Sequence, residues 1–339
     1  MTRYQDNTQI SYEAWKGLRN NSIGASEVGP IVYGSKWTSN LEIYYRKIGL
    51  GKDTVENIRM FLGKETEDVN ERCWSFYDGS EDSIVKNARA NTPVKKSIDL
   101  KVTAFNDKYP HLSVTIDREI QDFGKYAGKG KGCLEMKNTT GMALKSYENG
   151  LPTDNVLQLC TQMMVHEYNY GNLWYFIDNM RFEEYELLKS STKKMEDLIL
   201  NVTIPFWKNV EKAKVLVNKM YEAKRTFNMK MVAEIEQEII RLEPPPQNTN
   251  GYLNFLTERY KDRISNSGIV KGTDADLIIA KKHKDILKKA KKLEEQERDL
   301  QIQLKLILKE ANVLDFGKEG KLTYYPTVKG NRLLKNLTK

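Results

Sequence analysis

Two short apolar segments of this chain carry charged residues where a β-strand is usually hydrophobic. Residues 114–120 (VTIDREI) contain Asp117, and residues 132–138 (GCLEMKN) contain Glu135 and Lys137. Successive side chains of a strand alternate between its faces, so one face is expected to pack while Glu135 and Lys137 share the other. If the segments pair as a hairpin or lie as neighbours, Asp117 stands beside Glu135, and crowded carboxylates repel unless a cation lies between them. The pattern predicts a site for a hard divalent ion, with Lys137 left to meet an anion or the nucleophile.

The spacing Glu-x-Lys also occurs at two other places. Glu222 and Lys224 lie in a helical pattern, where residues two apart face nearly opposite directions and cannot converge. Glu319 and Lys321 lie in a glycine-containing turn. For Asp117, Glu135 and Lys137, the alternative interpretation is an ordinary solvated sheet edge with cross-strand ion pairs.

Composition restricts the class of protein. The chain has 339 residues, 40% of them hydrophobic, with a net charge of +8 and a pI near 9.0, which favours a folded protein with a polyanionic partner. The three cysteines have no CxxC spacing, so neither a disulfide framework, a zinc site nor a four-cysteine iron–sulfur cluster is indicated. Without a membrane-spanning run or an apolar leader, the expected location is the cytoplasm.

The first strand segment belongs to a predicted β-hairpin, residues 93–119, which ends near Asp117. The Gly- and Lys-rich loop 123–132 follows, and its lysines are either phosphate contacts or solubilising groups. A helix from Asp53 to Tyr77 is predicted to be core, and one of its glutamates is expected to reach a metal held by the sheet. These glutamates are Glu65, Glu67 and Glu71.

A second predicted helix, capped by Asp154, carries a polar stripe of Gln158, Gln162 and His166 at i, i+4 and i+8. This stripe faces something other than core, and His166 is expected at the surface or at the helix end. Strands are predicted at residues 172–178 and 181–188.

Near the N-terminus, a short helix from Ser11 to Arg19 precedes the glycine-containing segment 22–34. Ser26 is able to cap a short helix there, and the exposed N–H groups of its first turn, with Arg19 nearby, form a natural cradle for a phosphate. An ordinary capped turn is the alternative.

From Lys193 the sequence predicts long helices. Two apolar heptad-like runs, within residues 210–231 and 286–311, are expected to pair with each other or to serve oligomerisation. Residues 281–292 contain seven lysines and form either a DNA-facing arm or a solvated helix face. Residues 320–334 predict a closing hairpin.

In order, these features resemble the YqaJ-type viral recombinases, the family of phage lambda exonuclease, within the PD-(D/E)xK nuclease superfamily. The matching motifs are Trp15-Lys-Gly-Leu-Arg19, SIGASEV, MFLGKETE, HLSVTID, CLEMK and LQLCTQMMV. The sequence departs from the family pattern at Ile116 (usually proline), Leu62 (commonly tryptophan) and Cys160 (a second glutamine).

The resemblance implies a fold and a site. The fold is an α/β restriction-endonuclease-like core, with a mixed sheet flanked by helices, over residues 1–192, followed by a helical, coiled-coil-like region ending in a hairpin over residues 193–339. The implied catalytic residues are Glu67, Asp117, Glu135, Lys137 and Gln158. One or two Mg²⁺ or Mn²⁺ ions would be held by Asp117, Glu135, the Met136 carbonyl and, directly or through water, Glu67; Arg19 and Ser26 would hold a 5′-phosphate.

The implied activity is that of a metal-dependent exonuclease which degrades one strand of duplex DNA from 5′ to 3′ for recombination by strand annealing. The resemblance also implies a trimeric ring around DNA, a single-strand annealing partner, and a phage or prophage protein in a bacterial host. Two alternatives remain, a structure-selective or site-specific endonuclease and a non-catalytic DNA-binding or scaffold protein.

Overall fold

The structure is a computed structural model that describes residues 1–53, 56–145, 151–261, 271–309, 311, 313–327 and 330–334. The chain divides into two compact units, residues 1–263 and 264–339. The strands are β1 (Thr2–Asp6), β2 (Ile23–Gly24), β3 (Ser97–Ile98), β4 (Val102–Asn106), β5 (Leu112–Val114), β6 (Arg118–Ile120), β7 (Gly132–Thr139), β8 (Tyr170–Ile177), β9 (Arg181–Leu188), β10 (Val313–Asp315), β11 (Lys321–Thr327) and β12 (Gly330–Leu334).

The helices of the first unit are α1 (Tyr12–Asn20), α2 (Ala25–Tyr33), α3 (Asn40–Lys47), α4 (Ile58–Glu65), α5 (Glu67–Phe76), α6 (Glu81–Ala90), α7 (Gly141–Lys145), α8 (Thr153–His166), α9 (Lys193–Arg225), α10 (Met229–Arg241) and α11 (Asn250–Tyr260). The second unit contains α12 (Asp274–Leu308). No described helix is long and apolar enough to cross a membrane.

Two sheets form the centre of the first unit. One has the strand order β3-β6-β7-β8-β9, in which β7 and β8 are parallel and the other pairs are antiparallel. The other has the order β1-β4-β5-β2, with β2 and β5 parallel. The parallel pair β7–β8 is joined through α8, as a parallel connection requires. The expected fold, α/β with mixed sheets flanked by helices, is confirmed.

The predicted hairpin forms between β4 and β5, but the second run is not one strand. It leaves the four-stranded sheet, β1-β4-β5-β2, after Val114 and enters the five-stranded sheet at Arg118. Asp117 lies in this crossing, between the two sheets. Its segment continues into β6, which pairs with β7, so the two charged segments pair as consecutive antiparallel strands, the hairpin arrangement of the two expected.

Both faces of β7 are covered, and the face that carries Glu135 is packed as well. Leu134 and Met136 pack with Trp74 and Tyr126, while Cys133 packs with Leu159 of α8 on the other face. The polar stripe of α8 therefore meets the charged face of β7 inside the protein.

The helix predicted from Asp53 to Tyr77 is only partly core. Thr54 lies outside the described residues, and the helical residues form two helices, α4 and α5, that meet at Thr66. Phe61 and Leu62 are exposed, whereas Trp74 is fully buried. The apolar periodicity therefore overstated the burial of α4, because most of its apolar side chains have no covering layer.

Helix α9 packs within the first unit. Val210, Val217 and Met220 are buried in a core that also contains residues of α2, α3 and α10. Phe227, predicted to continue the stripe, is exposed and has a positive φ where the chain turns into α10. The expected division into a nuclease region (1–192) and a helical region (193–339) is based on sequence character and stays a prediction; the compact units divide at residue 263.

In the second unit, α12 exposes the heptad positions Ile286, Leu293, Leu300 and Ile307, while Leu304 is half-buried; among the described residues of this helix, Leu308 is buried. Residues 281–292 are exposed throughout, which leaves both interpretations of this basic segment open. The predicted closing hairpin forms between β11 and β12, and β10 adds a third strand; its turn residues 328 and 329 lie outside the described residues.

Candidate active site

Asp117 and Glu135 are brought together by the pairing of β6 with β7. Arg118 lies opposite Leu134, so the same register continued by one residue places Asp117 opposite Glu135. Asp117 Oδ2 accepts a hydrogen bond from the Met136 N–H at 2.7 Å. The carboxyl group is thus held at the edge of β7, where β6 no longer covers the strand.

Glu135 is almost completely buried, and three side chains hold its carboxylate. Oε1 accepts from Lys137 Nζ at 2.5 Å and from Gln158 Nε2 at 2.6 Å. Oε2 accepts from Gln162 Nε2 at 2.6 Å. Since Gln158 and Gln162 lie one turn apart on α8, the helix fixes both oxygens at once.

The charges of this cluster affect one another. Burial, together with the nearby Glu135 carboxylate, raises the pKa of Asp117 well above its usual range. Burial disfavours the Lys137 ammonium, but the Glu135 and Asp117 carboxylates outweigh this and raise the pKa of Lys137. Lys137 also donates to Gln158 Oε1 at 3.1 Å. The site is therefore short of positive charge around Asp117 and holds Lys137 as a cation.

The remaining acceptor capacity shows which oxygens fit a metal. A carboxylate offers about four acceptor positions. Glu135 uses three, for Lys137, Gln158 and Gln162, whereas Asp117 uses one, for Met136. Because an extended residue points its N–H and C=O to the same edge of the strand, the Met136 carbonyl faces the side from which Asp117 approaches.

These donors suit a hard cation. In the part of the chain that the structure describes, no group of three or more His, Cys, Asp or Glu side chains is arranged to hold a metal. The oxygens that fit are two carboxylates and one backbone carbonyl. Mg²⁺ is commonly bound by one or two carboxylates with water and phosphate oxygens in the other positions, so the residues present fit it.

Glu67 lies at the start of α5, close enough to interact electrostatically with Asp117 and Glu135. Partial burial raises its pKa, although Arg118 opposes the change. Arg118 is buried, and its guanidinium lies 3.5 Å from Glu67 and 2.6 Å from Asp68. It also donates to the Asp117 carbonyl at 2.7 Å. Glu67 is therefore at the rim of the site, held by Arg118, while Glu65 is exposed.

Arg19 and Ser26 line a cavity beside this cluster. Arg19 Nη2 lies 3.5 Å from Ser26 Oγ. The cavity wall also includes Thr115 and Gln158, so Gln158 contacts both the cavity and the Glu135 carboxylate. The complete lining is Arg19, Gly24, Ala25, Ser26, Thr103, Ser113, Val114, Thr115 and Gln158.

Ser26 does not cap α2, contrary to one expectation. Gly24 occupies the N-cap position, and its N–H donates to Glu27 Oε2 at 2.8 Å. Ser26 lies in the first turn with an exposed side chain, beside Arg19. The hydroxyl is thus available to a ligand of the cavity, while Glu27 takes the capping role.

The lysines of loop 123–132 pair with acids of the protein. Lys125 contacts Glu184 at 2.8 Å, and Lys131 contacts Glu119 at 2.8 Å. Lys129 pairs in the same way with Glu186 of β9. These ion pairs hold the loop against the sheet, a role not considered from the sequence.

Sequence reasoning missed two residues that orient the site. Gln162 was noticed only as part of a polar stripe, and it donates to the Thr115 carbonyl at 3.0 Å as well as to Glu135. Arg118 carried no signal beyond its position next to Asp117. The third member of the stripe, His166, does end α8 but is buried against Tyr4 and Tyr168, with no hydrogen-bond partner for either ring nitrogen among the described residues.

The chain was compared with known protein sequences, solved structures and family models. No curated protein sequence matches this chain. An alkaline exonuclease from Laribacter hongkongensis aligns at 14% identity over 61% of this chain and 98% of its own, with a TM-score of 0.42, and its complex with dAMP at 14% identity over the same shares, with a TM-score of 0.41. The structure of SSO0001 aligns at 16% identity over 57% of this chain and 87% of its own, with a TM-score of 0.27. Residues 14–169 match the family model of the YqaJ-like viral recombinase domain. The resemblance seen in the sequence is thereby confirmed over residues 14–169, which are similar to the YqaJ-like viral recombinase domain.

Proposed function

We propose that the chain is a metal-dependent exonuclease that degrades one strand of double-stranded DNA from 5′ to 3′ and leaves single-stranded 3′ overhangs for recombination by strand annealing. One observation carries this proposal. The cavity that contains Arg19 and Ser26 also reaches Gln158, which holds Glu135 beside Lys137. A terminal phosphate and the next phosphodiester bond would therefore lie on one continuous surface.

Asp117, Glu135 and the Met136 carbonyl would hold one or two Mg²⁺ or Mn²⁺ ions, with Glu67 contributing directly or through water. When bound, the metal supplies the acidity that ionises water near neutral pH and offsets the charge that grows on the scissile phosphate.

The side chains of the protein do the positioning. Lys137 orients the attacking water and donates to the phosphate oxygens, since its ammonium is anchored by Glu135. Gln158 holds Glu135 and lines the cavity, so it aligns the carboxylate with the bound phosphate. Arg118 keeps Glu67 at the rim of the site.

The direction of strand digestion would be set by binding of the 5′ end. The Arg19 guanidinium and the Ser26 hydroxyl are suited to a terminal phosphate dianion, which offers more charge than an internal diester. An end held there places a fixed number of nucleotides between the terminus and Lys137. The strand that ends in the cavity is thus the strand that is cut.

The viral recombinase family motivates further proposals about partners and place. We expect a single-strand annealing protein as partner, a homotrimeric ring around DNA, and action in the cytoplasm of a bacterial host as a phage or prophage protein. Light scattering of the purified chain and co-purification with an annealing protein test the first two.

The direct test is digestion of end-labelled linear duplex with and without Mg²⁺, beside covalently closed plasmid. We expect Mg²⁺-dependent loss of 5′ label from the linear duplex and an intact plasmid. Glu135→Ala and Lys137→Ala should lose activity, whereas the matched pair Glu222→Ala and Lys224→Ala, with the same spacing on α9, should not.

The outcomes separate the alternatives. Cleavage of the closed plasmid would indicate an endonuclease. A wild-type chain that binds DNA but leaves linear duplex intact would indicate a binding or scaffold protein. Digestion by Glu135→Ala at the wild-type rate would refute the assigned site.

A further inference from the structure

The first turn of α2 carries a buried carboxylate, that of Glu27. The Glu27 side chain is 9% exposed and accepts three hydrogen bonds. Its Oε1 accepts from Arg46 at 2.8 Å, and its Oε2 accepts from Lys47 at 2.7 Å and from the Gly24 N–H at 2.8 Å. This group is outside the catalytic cluster, and nothing in the proposed reaction uses it directly.

Glu27 is connected to Arg19 in two ways. Lys47, which is bonded to Glu27, also donates to the Arg19 carbonyl at 2.5 Å. A Cβ placed on Gly24 would lie 3.0 Å from Arg19 Nη2 and 3.4 Å from Glu27 Oε2. The guanidinium and the carboxylate therefore lie close together over the bare Gly24 backbone.

The charges of this group are unbalanced. Burial opposes ionisation of Glu27, but Lys47, Arg46 and Arg19 outweigh it and keep the pKa of Glu27 below its usual value. One carboxylate thus faces three cations. Arg46 and Lys47 hydrogen bond to Glu27, whereas Arg19 extends to Ser26 in the cavity wall. The excess positive charge of this group therefore includes the Arg19 guanidinium, which lines the cavity.

We propose that Glu27 is a positioning residue of the phosphate pocket, fixing Arg19 and the first turn of α2 without touching DNA. The inference rests on the proposed function, since it assigns Glu27 to selection of the 5′-phosphate. Without the carboxylate, two buried cations would repel the Arg19 guanidinium, and the Gly24 N–H would lose its strongest acceptor.

The test is the ratio of digestion rates on linear duplexes with 5′-phosphate and 5′-hydroxyl ends. In Glu27→Gln we expect this ratio to fall roughly tenfold or more, the effect of weakening one charge-assisted contact, towards the ratio of Arg19→Ala. The rate on 5′-hydroxyl ends should change much less, because Glu27 does not contact the catalytic cluster.

A control separates positioning from lost stability. Glu184→Gln also removes a buried, ion-paired carboxylate from the first unit, on the sheet rather than at α2. This control variant should have a lower melting temperature than wild type. Its ratio of digestion rates on 5′-phosphate and 5′-hydroxyl ends should be unchanged. If Glu27→Gln does not fold, Glu27→Asp decides instead: it keeps the charge, but its shorter side chain cannot reach Arg46, Lys47 and the Gly24 N–H together, so the ratio should again fall.

Each result has one meaning. A wild-type chain with equal rates on both ends would refute the phosphate pocket itself. If wild type prefers the 5′-phosphate and Arg19→Ala loses the preference, while the folded Glu27→Gln or Glu27→Asp variant keeps it, the pocket stands and the role of Glu27 is refuted.

Discussion

Replacement of Gln162 by methionine tests how the Glu135 carboxylate of the candidate active site is aligned. Gln162 is fully buried, and its Nε2 donates to Glu135 Oε2 at 2.6 Å and to the Thr115 carbonyl at 3.0 Å. Its Oε1 has no hydrogen-bond partner among the described residues. The amide orientation is nevertheless fixed, because the reverse orientation would place an oxygen against the carboxylate.

Gln162→Met should lower both activity and stability. A hydrogen bond to a charged group contributes about 1.5–3 kcal/mol. If the same energy is needed to align Glu135 in the transition state, kcat/KM should fall by about 10- to 200-fold, since each ~1.4 kcal/mol is a factor of ten. The free energy of unfolding should fall by about 1–3 kcal/mol, because Glu135 Oε2 and the Thr115 carbonyl lose their donor, although methionine has similar volume and removes the unpaired buried oxygen.

The assay is initial-rate digestion of linear duplex, with urea unfolding of the same preparations. The matched control is Gln121→Met, since Gln121 Nε2 donates in the same way to the Glu119 carboxylate at 2.9 Å and to the Glu119 carbonyl at 3.3 Å, away from the site. We expect near wild-type rates for the control. A Gln162→Met variant with kcat/KM within about twofold of wild type would refute the reasoning.

Two further predictions concern stability. Glu184→Gln leaves the buried Lys95 ammonium without the negative charge of its 2.9 Å partner and should cost about 3–5 kcal/mol in urea unfolding. Although burial raises the pKa of Glu184, Lys95 and Lys125 lower it to about 2, so its stabilisation is complete above its ordinary value of 4.5 and is lost as pH falls towards 2. Wild type should therefore lose more stability than Glu184→Gln between pH 5 and 2, and equal losses would contradict the assignment. Gly29→Ala would place a Cβ 2.7 Å from the Asp154 Cα, forcing α2 from α8 at a cost of about 1–3 kcal/mol, with lower activity because α8 carries Gln158. Gly17→Ala, on α1 with nothing within 4 Å, is its control and should not destabilise.

Local patterns predicted much of the site. Alternation along a strand was enough to place Glu135 and Lys137 on one face, and helical spacing placed Gln158 and Gln162 on one stripe. Both follow from backbone geometry that is fixed over a few residues. The sequence also indicated that Asp117 belongs near Glu135, since two carboxylates on neighbouring strands suggest a shared cation.

The partners of these groups could not be predicted in the same way. Glu27 meets Arg46 and Lys47 about twenty positions along the chain, and Arg118 meets residues of α5 fifty positions earlier. Such contacts depend on how helices pack on sheets, which periodicity does not specify. The same limitation explains α4, because an apolar stripe shows which face can be buried but not whether anything covers it.

The position of Asp117 between two sheets has a consequence for the cell that makes this protein. Asp117 follows a hairpin that can form early, but Glu135 lies on β7, whose parallel partner β8 ends at Ile177. The glutamines that hold Glu135 lie on α8, between these strands. A nascent chain therefore cannot assemble the cluster until about the first half of its length has been made and both sheets have closed. An incomplete product would carry the acids without the geometry, so under the proposed function unfinished copies would not cut DNA.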